Sequence, residues 1–393
     1  MIPPRLHAAL DAASVVALAV APSVLPMSSA TKRNLRLTAL GLAAYSLVTR
    51  YDGRHAGGLN LNEHRVLDAA QGMAFFLAAA MQDSPALRGA MGGYGALCLG
   101  AAALTAPLAA PGVALPPLAL TGVKMDRVTE VAADLAYLRT GIVNVAFLGH
   151  PDQGDWVLVD AGLPGCASAI LTAAQDRFGG RPPVAILLTH AHFDHVGALQ
   201  TLADHWDVPV YAHPLERPHL DGDASYPPAA PEVGGGTMAT LSPLFPRGPV
   251  RLRARVRDLP ADGTLPMLDE WSWLHTPGHT PGHVSFWKER TRVLVAGDAF
   301  TTTQQESLRD AVAQKPELHG PPAYFTSDWA AAEASVRKLA DLEPDVIVTG
   351  HGPAGAGMRF RSALHQLANG FARIGLPPAS RYLGQPAEPA RLR

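Results

Sequence analysis

Apolar positions in the first 110 residues run in four long blocks, roughly 6–25, 35–48, 66–81 and 90–110, separated by short polar loops. Each block predicts a helix. A bilayer-spanning helix needs about 20 apolar residues, so the first and fourth blocks are long enough. The second and third would span only a thinned bilayer or one whose interface their flanks can reach. The blocks also repeat: aligning His7 on His64 places Leu10-Asp11-Ala12-Ala13 on Leu67-Asp68-Ala69-Ala70, and Leu40 and Ala44 on Leu97 and Ala101, without a gap. Residues 1–110 are therefore expected to form a duplicated helical hairpin, an all-α four-helix transmembrane domain, with a soluble Ala-rich bundle as the competing arrangement. Asp11 and Asp68 follow His7 and His64 by one helical turn, as candidate polar partners between helices or interface residues.

The texture changes near Val123. Residues 106–117 are rich in Pro, Ala and Gly and read as the exit from the last helix into a linker at 111–122. Beyond it, the pattern predicts strands over 128–138 and 143–148 with a turn at Gly141, and a short buried strand over 156–159 ending in Asp160-Ala161-Gly162. Helices are expected over 163–178, 196–206 and 329–342, and strands over 184–188, 208–212, 271–275, 284–287, 292–296 and 346–348. Residues 213–250 carry enough Pro and Gly to predict a long irregular loop, a feature usually tied to function. The pattern is an α/β domain built on two sheets over residues 123–360, with a C-terminal helix and tail over 361–393.

Charge and composition then narrow the chemistry. The 393 residues carry 32 Lys and Arg against 34 Asp and Glu, with no basic run, so nucleic acid is not an expected partner. Residues 1–110 hold five of the acids and eight of the bases, a membrane-like composition. If four helices span, Arg5, Arg50, Arg54, Arg65, Lys124 and Arg127 share one side, and Lys32, Arg33, Arg36 and Arg88 lie opposite. That excess points the α/β domain toward the cytoplasm, at a bacterial inner membrane. Arg5, His7 and Asp11 do not fit a signal-peptide layout. Cys98 and Cys166 are too few for a thiolate cluster, which leaves a metal site to imidazole and carboxylate.

The candidate ligands sit at strand ends. His190-Ala191-His192-Phe193-Asp194-His195 follows an apolar strand directly. Alternation along an extended backbone turns His190 and His192 the same way, where they can share an ion. Asp194 and His195 fall at the turn into the next helix, within reach of a second. Thr276-Pro277-Gly278-His279, Ala296-Gly297-Asp298 and Thr349-Gly350-His351-Gly352 each end another buried strand in one metal-competent side chain. Burying such groups unpaired costs roughly 2–7 kcal/mol each, so a folding core does not call for them.

This ordered set resembles the metallo-β-lactamase fold superfamily over roughly 123–360. The resemblance implies a four-layer αβ/βα sandwich with two metal ions, zinc first and iron or manganese as alternatives. Carried over by position, His190, His192 and His279 would hold one ion and Asp194, His195 and His351 the other, with Asp298 bridging. Asp160 matches a position that usually orients a ligand, and His283 is read as supporting the ligands or facing substrate. The expected activity is hydrolysis of a carboxylic ester, lactone or thioester by hydroxide on the dinuclear centre, with Asp194 passing the proton to the leaving group. A phosphodiesterase of the same fold, or a membrane-tethered metal-binding sensory module without turnover, are the alternatives. A small-molecule cleft walled by residues 213–250 and 302–325 would use Tyr226, Phe245, Tyr324 and Phe325 as contacts. In residues 1–110, His7 and His64, each with an Asp four residues on and an apolar helix after it, resemble the bacterial membrane modules called SPW repeats, although Ala21-Pro22 lacks the Trp.

Overall fold

In a computed structural model of the chain, which describes residues 2–24, 27–51, 59–80, 84–105, 112–115, 128–152, 154–252, 255–265, 267–387 and 390–391, the four apolar blocks are helical. They are α1 (Pro4–Val24), α2 (Ser29–Val48), α3 (Leu61–Ala80) and α4 (Pro85–Leu104). The second is not short: α2 has 20 residues, because Ser28 accepts the Thr31 N–H at 3.1 Å and caps a first turn containing Lys32. α1 packs on α2 and α3 on α4, as two hairpins. A Cβ on Gly72 would lie 2.9 Å from the Gly95 carbonyl oxygen, so glycine is what lets α3 and α4 approach so closely.

Of the described helices, α1 alone is long and apolar enough to cross a membrane. The fourth block meets the length it was expected to have, since α4 has 20 residues, but its hydropathy falls below that of α1. Charges at the head of α2, Glu63, Arg65 and Asp68 in α3, and repeated glycines in α4 dilute the apolar character of those helices.

The chain divides into two units, Met1–Ala109 and Ala110–Arg393. The expected linker lies largely outside the described residues, but Val113–Ala114 within it pairs antiparallel with Glu317–Leu318 of the second unit. The second unit holds two sheets. Its first has seven strands, β1 (Val128–Ala132), β2 (Leu135–Thr140), β3 (Val143–Leu148), β4 (Val157–Val159), β5 (Ala185–Leu187), β6 (Val210–Ala212) and β7 (Val256–Asp258), in sequential order. Pairing is antiparallel from β1 to β4 and parallel from β4 to β7. The second sheet orders β8 (Ser272–His275), β9 (Val284–Lys288), β10 (Val293–Gly297), β11 (Val346–Thr349) and β12 (Gly355–Ala356), with β10 and β11 parallel.

Alternation along the strands builds the layers. Leu187 of β5 joins Val159, Phe286, Val295 and Val348 between the sheets. Ile186 faces the other way, against Ile170 and Phe178 of α5 (Ala167–Phe178) and Leu202 of α6 (Leu199–Trp206). Leu294 and Ile347 likewise turn outward onto Val336 and Leu339 of α7 (Trp329–Asp341) and Phe360 and Leu364 of α8 (Met358–Asn369). The result is a four-layer αβ/βα sandwich. α8 starts before residue 360 and buries Phe360 and Leu364, so it is part of the sandwich rather than an appendage. The strand expected over 128–138 is two strands, broken by a turn at Ala133-Asp134, and the helix expected from 163 starts only at Ala167, after a turn at Pro164-Gly165.

Candidate metal centre

Several strands of the sandwich end at one place. β5 runs through Leu188 and Thr189 into His190–His195, β8 is followed by His279, β10 by Asp298 and β11 by His351. His190, His192 and His279 form one donor group, and Asp194, His195 and His351 another, each with ligand atoms within 4.8 Å of one another. Asp298 lies between them. Its Oδ2 is 3.9 Å from His190 Nε2 and 3.5 Å from His279 Nε2 on one side, and 3.4 Å from His195 Nε2 and 3.2 Å from His351 Nε2 on the other. Asp194 Oδ2 is 3.5 Å from His351 Nε2. A Cβ at Gly350 would fall 2.0 Å from Asp298 Oδ1, so only glycine fits beside this carboxylate.

Partners behind the rings decide which nitrogen faces inward. The Thr189 hydroxyl donates to Asp160 Oδ2 at 2.8 Å, so it accepts from His190 Nδ1–H at 3.0 Å. Thr326 donates to the Pro322 carbonyl at 2.8 Å and accepts from His279 Nδ1–H at 3.1 Å. His195 Nδ1–H donates to Asp160 Oδ2, and His351 Nδ1–H to the Ile142 carbonyl, each at 2.8 Å. Nε2 of all four rings is thereby turned toward the centre. His192 instead presents Nδ1, 2.9 Å from His279 Nε2. His190 Nε2, His195 Nε2 and Asp298 Oδ1 are buried with no hydrogen-bond partner. Acceptors crowded this way are stable only around cations, and an N/O donor set of this kind fits divalent transition metals.

Electrostatics divide the two groups. Burial holds His190 and His192 well below the usual imidazole value and brings His279 down to about 3. Burial acts the same way on His195 and His351, but carboxylates, Asp298 foremost, outweigh it and raise both. Burial opposes ionisation of Asp298, yet His351 and His195 hold it well below the usual carboxylate range.

Residues 138–351 match the family model of the metallo-beta-lactamase superfamily. The chain belongs to that superfamily. It is 49% identical over 261 residues to the probable metallo-hydrolase YflN of Bacillus subtilis (strain 168), a match covering 66% of this chain and 99% of that protein. It is 30% identical over 201 residues to the probable metallo-hydrolase YybB of the same organism, covering 51% and 77%. It is also similar to the crystal structure of TTHA1623 in a di-iron-bound form, at 28% identity and a TM-score of 0.39, over 61% of this chain and 96% of that one. The chain is a hydrolase of this superfamily, whose fold binds divalent metals.

The metallo-β-lactamase domain puts the supporting residues in specific jobs. Asp160, in the left-handed region at φ 63°, accepts the Thr189 N–H at 2.8 Å as well as the Thr189 hydroxyl and His195. His283 does not face substrate: its Nε2 accepts the Asp298 N–H at 2.9 Å and its Nδ1–H donates to the Thr276 carbonyl at 3.0 Å, so it fixes the backbone at Asp298. Tyr226 is not a substrate contact either. It is 2% exposed, its ring lies 4.2 Å from His192, and its hydroxyl bonds Glu216. Phe325 packs on His192 at 4.9 Å between centroids, and Phe245 lies within 6.1 Å of Tyr324 and 6.4 Å of Phe325.

Three contributors escape sequence reasoning. Glu216, buried at 1% exposure, accepts the Ala191 N–H, the Gly282 N–H and the Thr280 hydroxyl, and so ties the His190–His195 turn to the His279 loop. A lone acid in a Pro-rich segment gives no signal. Asn144 of β3 donates to the Thr349 and Gly352 carbonyls at 2.9 and 2.7 Å, clamping the His351 turn. Phe193 extends the aromatic wall, 5.8 Å from Phe245; its apolar character between two metal-competent residues is the available signal.

Proposed function

We propose that the sandwich hydrolyses a carboxylic ester, lactone or thioester. The observation that carries this reading is the aromatic wall of Phe193, Phe245, Tyr324 and Phe325 beside His192, a surface suited to an acyl group. Residues 111–393 hold 24 bases against 29 acids, a balance that disfavours a polyanionic substrate.

His190, His192 and His279 would hold one ion, and Asp194, His195 and His351 the other, with Asp298 spanning both. Bound there, a pair of divalent cations would supply Lewis acidity and make a water acidic enough to ionise near neutral pH. The remaining work falls to the chain. Asp194 would take the proton released by the attacking water and pass it to the leaving oxygen or sulfur. Burial, then the negative charges of Asp194, Glu306 and Asp298, raise the Tyr324 phenol, so it stays protonated beside the wall. The wall excludes water from the acyl side.

We further propose that residues 1–110 associate with a bacterial inner membrane, with the sandwich on the cytoplasmic side. Leu47, Leu40, Leu77 and Val16 are 85%, 67%, 67% and 62% exposed, whereas His7, Asp11, His64 and Asp68 are buried. This inverts the arrangement of a water-soluble bundle. Recovery of the full chain in the soluble fraction without detergent overturns it.

The activity test is a panel of acyl-homoserine and simple lactones, acyl thioesters, β-lactams and phosphodiesters, assayed with the metal-loaded full chain. Lactone or thioester turnover that rises with acyl length is expected, since each buried methylene contributes about 0.8 kcal/mol. Preferential phosphodiester cleavage contradicts the substrate class. Binding without turnover favours a sensory module.

A further inference from the structure

The four-helix unit holds its own closed set of donors, independent of the sandwich and of the substrate reading above. His7 and Asp11 on α1, and His64 and Asp68 on α3, bring one ligand atom each to within 4.8 Å of the others, and all four side chains are buried. His7 Nε2 is 2.8 Å from Asp68 Oδ2 and 3.6 Å from Asp11 Oδ1. His64 Nε2 is 3.0 Å from Asp11 Oδ2 and 3.4 Å from Asp68 Oδ2. Donors around a tetrahedral ion with bonds of about 2.0–2.2 Å stand about 3.3–3.6 Å apart, close to this set.

The outer partners fix which nitrogen of each ring faces inward. Thr105 donates its hydroxyl proton to the Ala101 carbonyl at 2.6 Å, so at 2.5 Å it accepts from His7 Nδ1–H. Thr49 donates to the Tyr45 carbonyl at 2.6 Å and accepts from His64 Nδ1–H at 2.7 Å. Each ring therefore turns Nε2 onto the carboxylates: His7 Nε2 is hydrogen-bonded to Asp68 Oδ2 at 2.8 Å, whereas His64 Nε2 has no hydrogen-bond partner. The carboxylates are held in turn: Tyr45 donates to Asp68 Oδ1 at 2.9 Å and Tyr51 to Asp11 Oδ2 at 2.5 Å. Two carboxylates buried together against two imidazoles need positive charge among them, which a metal ion supplies at one point.

We propose that this cluster binds one divalent transition-metal ion through His7 Nε2, His64 Nε2 and one oxygen each of Asp11 and Asp68. An N2O2 set with every outer position occupied suits zinc best among the common ions. The ion joins the two hairpins, because α1 and α3 supply the ligands while Thr49 after α2 and Thr105 after α4 aim the rings.

The test uses the full chain in detergent, loaded with cobalt(II) or zinc and freed of loosely held ion. Wild type should bind three equivalents per chain. A chain carrying His190→Ala, Asp194→Ala and His351→Ala should keep one, with the intense visible bands of four-coordinate cobalt. In wild type, His64→Asn should remove that one equivalent and leave hydrolytic turnover within about twofold. If the sandwich variant keeps no ion while its helicity by circular dichroism matches wild type, the proposal is overturned, and the cluster is two imidazolium–carboxylate pairs. Equal metal counts for wild type and His64→Asn overturn it even if the triple variant fails to fold.

Discussion

The chain contains two buried His/Asp clusters, and they are built in opposite ways. In the sandwich the donors come from unrelated strand ends, and the cluster lies inside an apolar frame of Leu187, Phe286 and Val348. In the helical unit one His-x3-Asp element is used twice, and the apolar side chains Leu40, Leu47 and Leu77 face outward instead. Yet both aim their rings with the same device, a threonine whose proton is committed to another acceptor: Thr189 and Thr326 in one, Thr49 and Thr105 in the other. What makes a cluster of histidines ready for metal is thus the hydrogen bond behind each ring, and the surrounding fold is secondary.

The largest effect that would sharpen this comparison is at Asp298. Asp298→Asn replaces a two-oxygen bridge with an amide, and turnover should fall by more than roughly a hundredfold, beyond the 10–100-fold typical of losing an outer partner. Metal analysis should show at least one ion lost. Undiminished turnover with full metal content would remove the bridge from the account.

Next come the aiming threonines. Thr326→Val and Thr105→Val should each weaken metal binding about 10–100-fold, the first in the sandwich and the second in the helices only. Competition with a chelating indicator measures both. An equal loss at both sites from either substitution would mean that the two clusters are not independent.

Glu216→Gln tests the frame behind the sandwich ligands, because it sets an amide N–H against donors that now meet a carboxylate. Denaturant unfolding should show about 1–3 kcal/mol of lost stability. No loss would show that the two ligand loops hold their places unaided.

The smallest expected effect is one of order. The raised values of His195 and His351 mean that protons compete with metal there at higher pH than at His190, His192 and His279, whose values are depressed. Metal binding releases protons, so acidification opposes it. Dialysis over a falling pH series should strip the Asp194, His195 and His351 position first, and the reverse order would contradict these electrostatics.

Much of this architecture is readable from residue patterns. The apolar runs before His190, Asp298 and His351 mark strand ends, and the structure gathers those groups with His279. The His7/His64 repeat is equally visible, although Thr49 and Thr105 are 56 residues apart and so sit one position off the ungapped alignment of 57 between the histidines. What is not legible depends on long-range closure. Glu216 and Asn144 act on loops far away in sequence, and nothing local distinguishes them from solvated polar residues. Helix ends shift where a cap or a turn decides: Ser28 extends α2 past its apolar block, and Pro164-Gly165 delays α5. Tyr226 looks like a cleft residue in a Pro-rich loop, but its hydroxyl is taken by Glu216.

The central claim, a dinuclear centre at the strand ends, is tested most directly by diffraction from the zinc-loaded full chain with data collected at the metal's absorption edge. Two anomalous peaks about 3.5–4 Å apart, with Asp298 between them, are predicted for the sandwich. A single peak there, or two peaks of which Asp298 touches only one, would contradict the account.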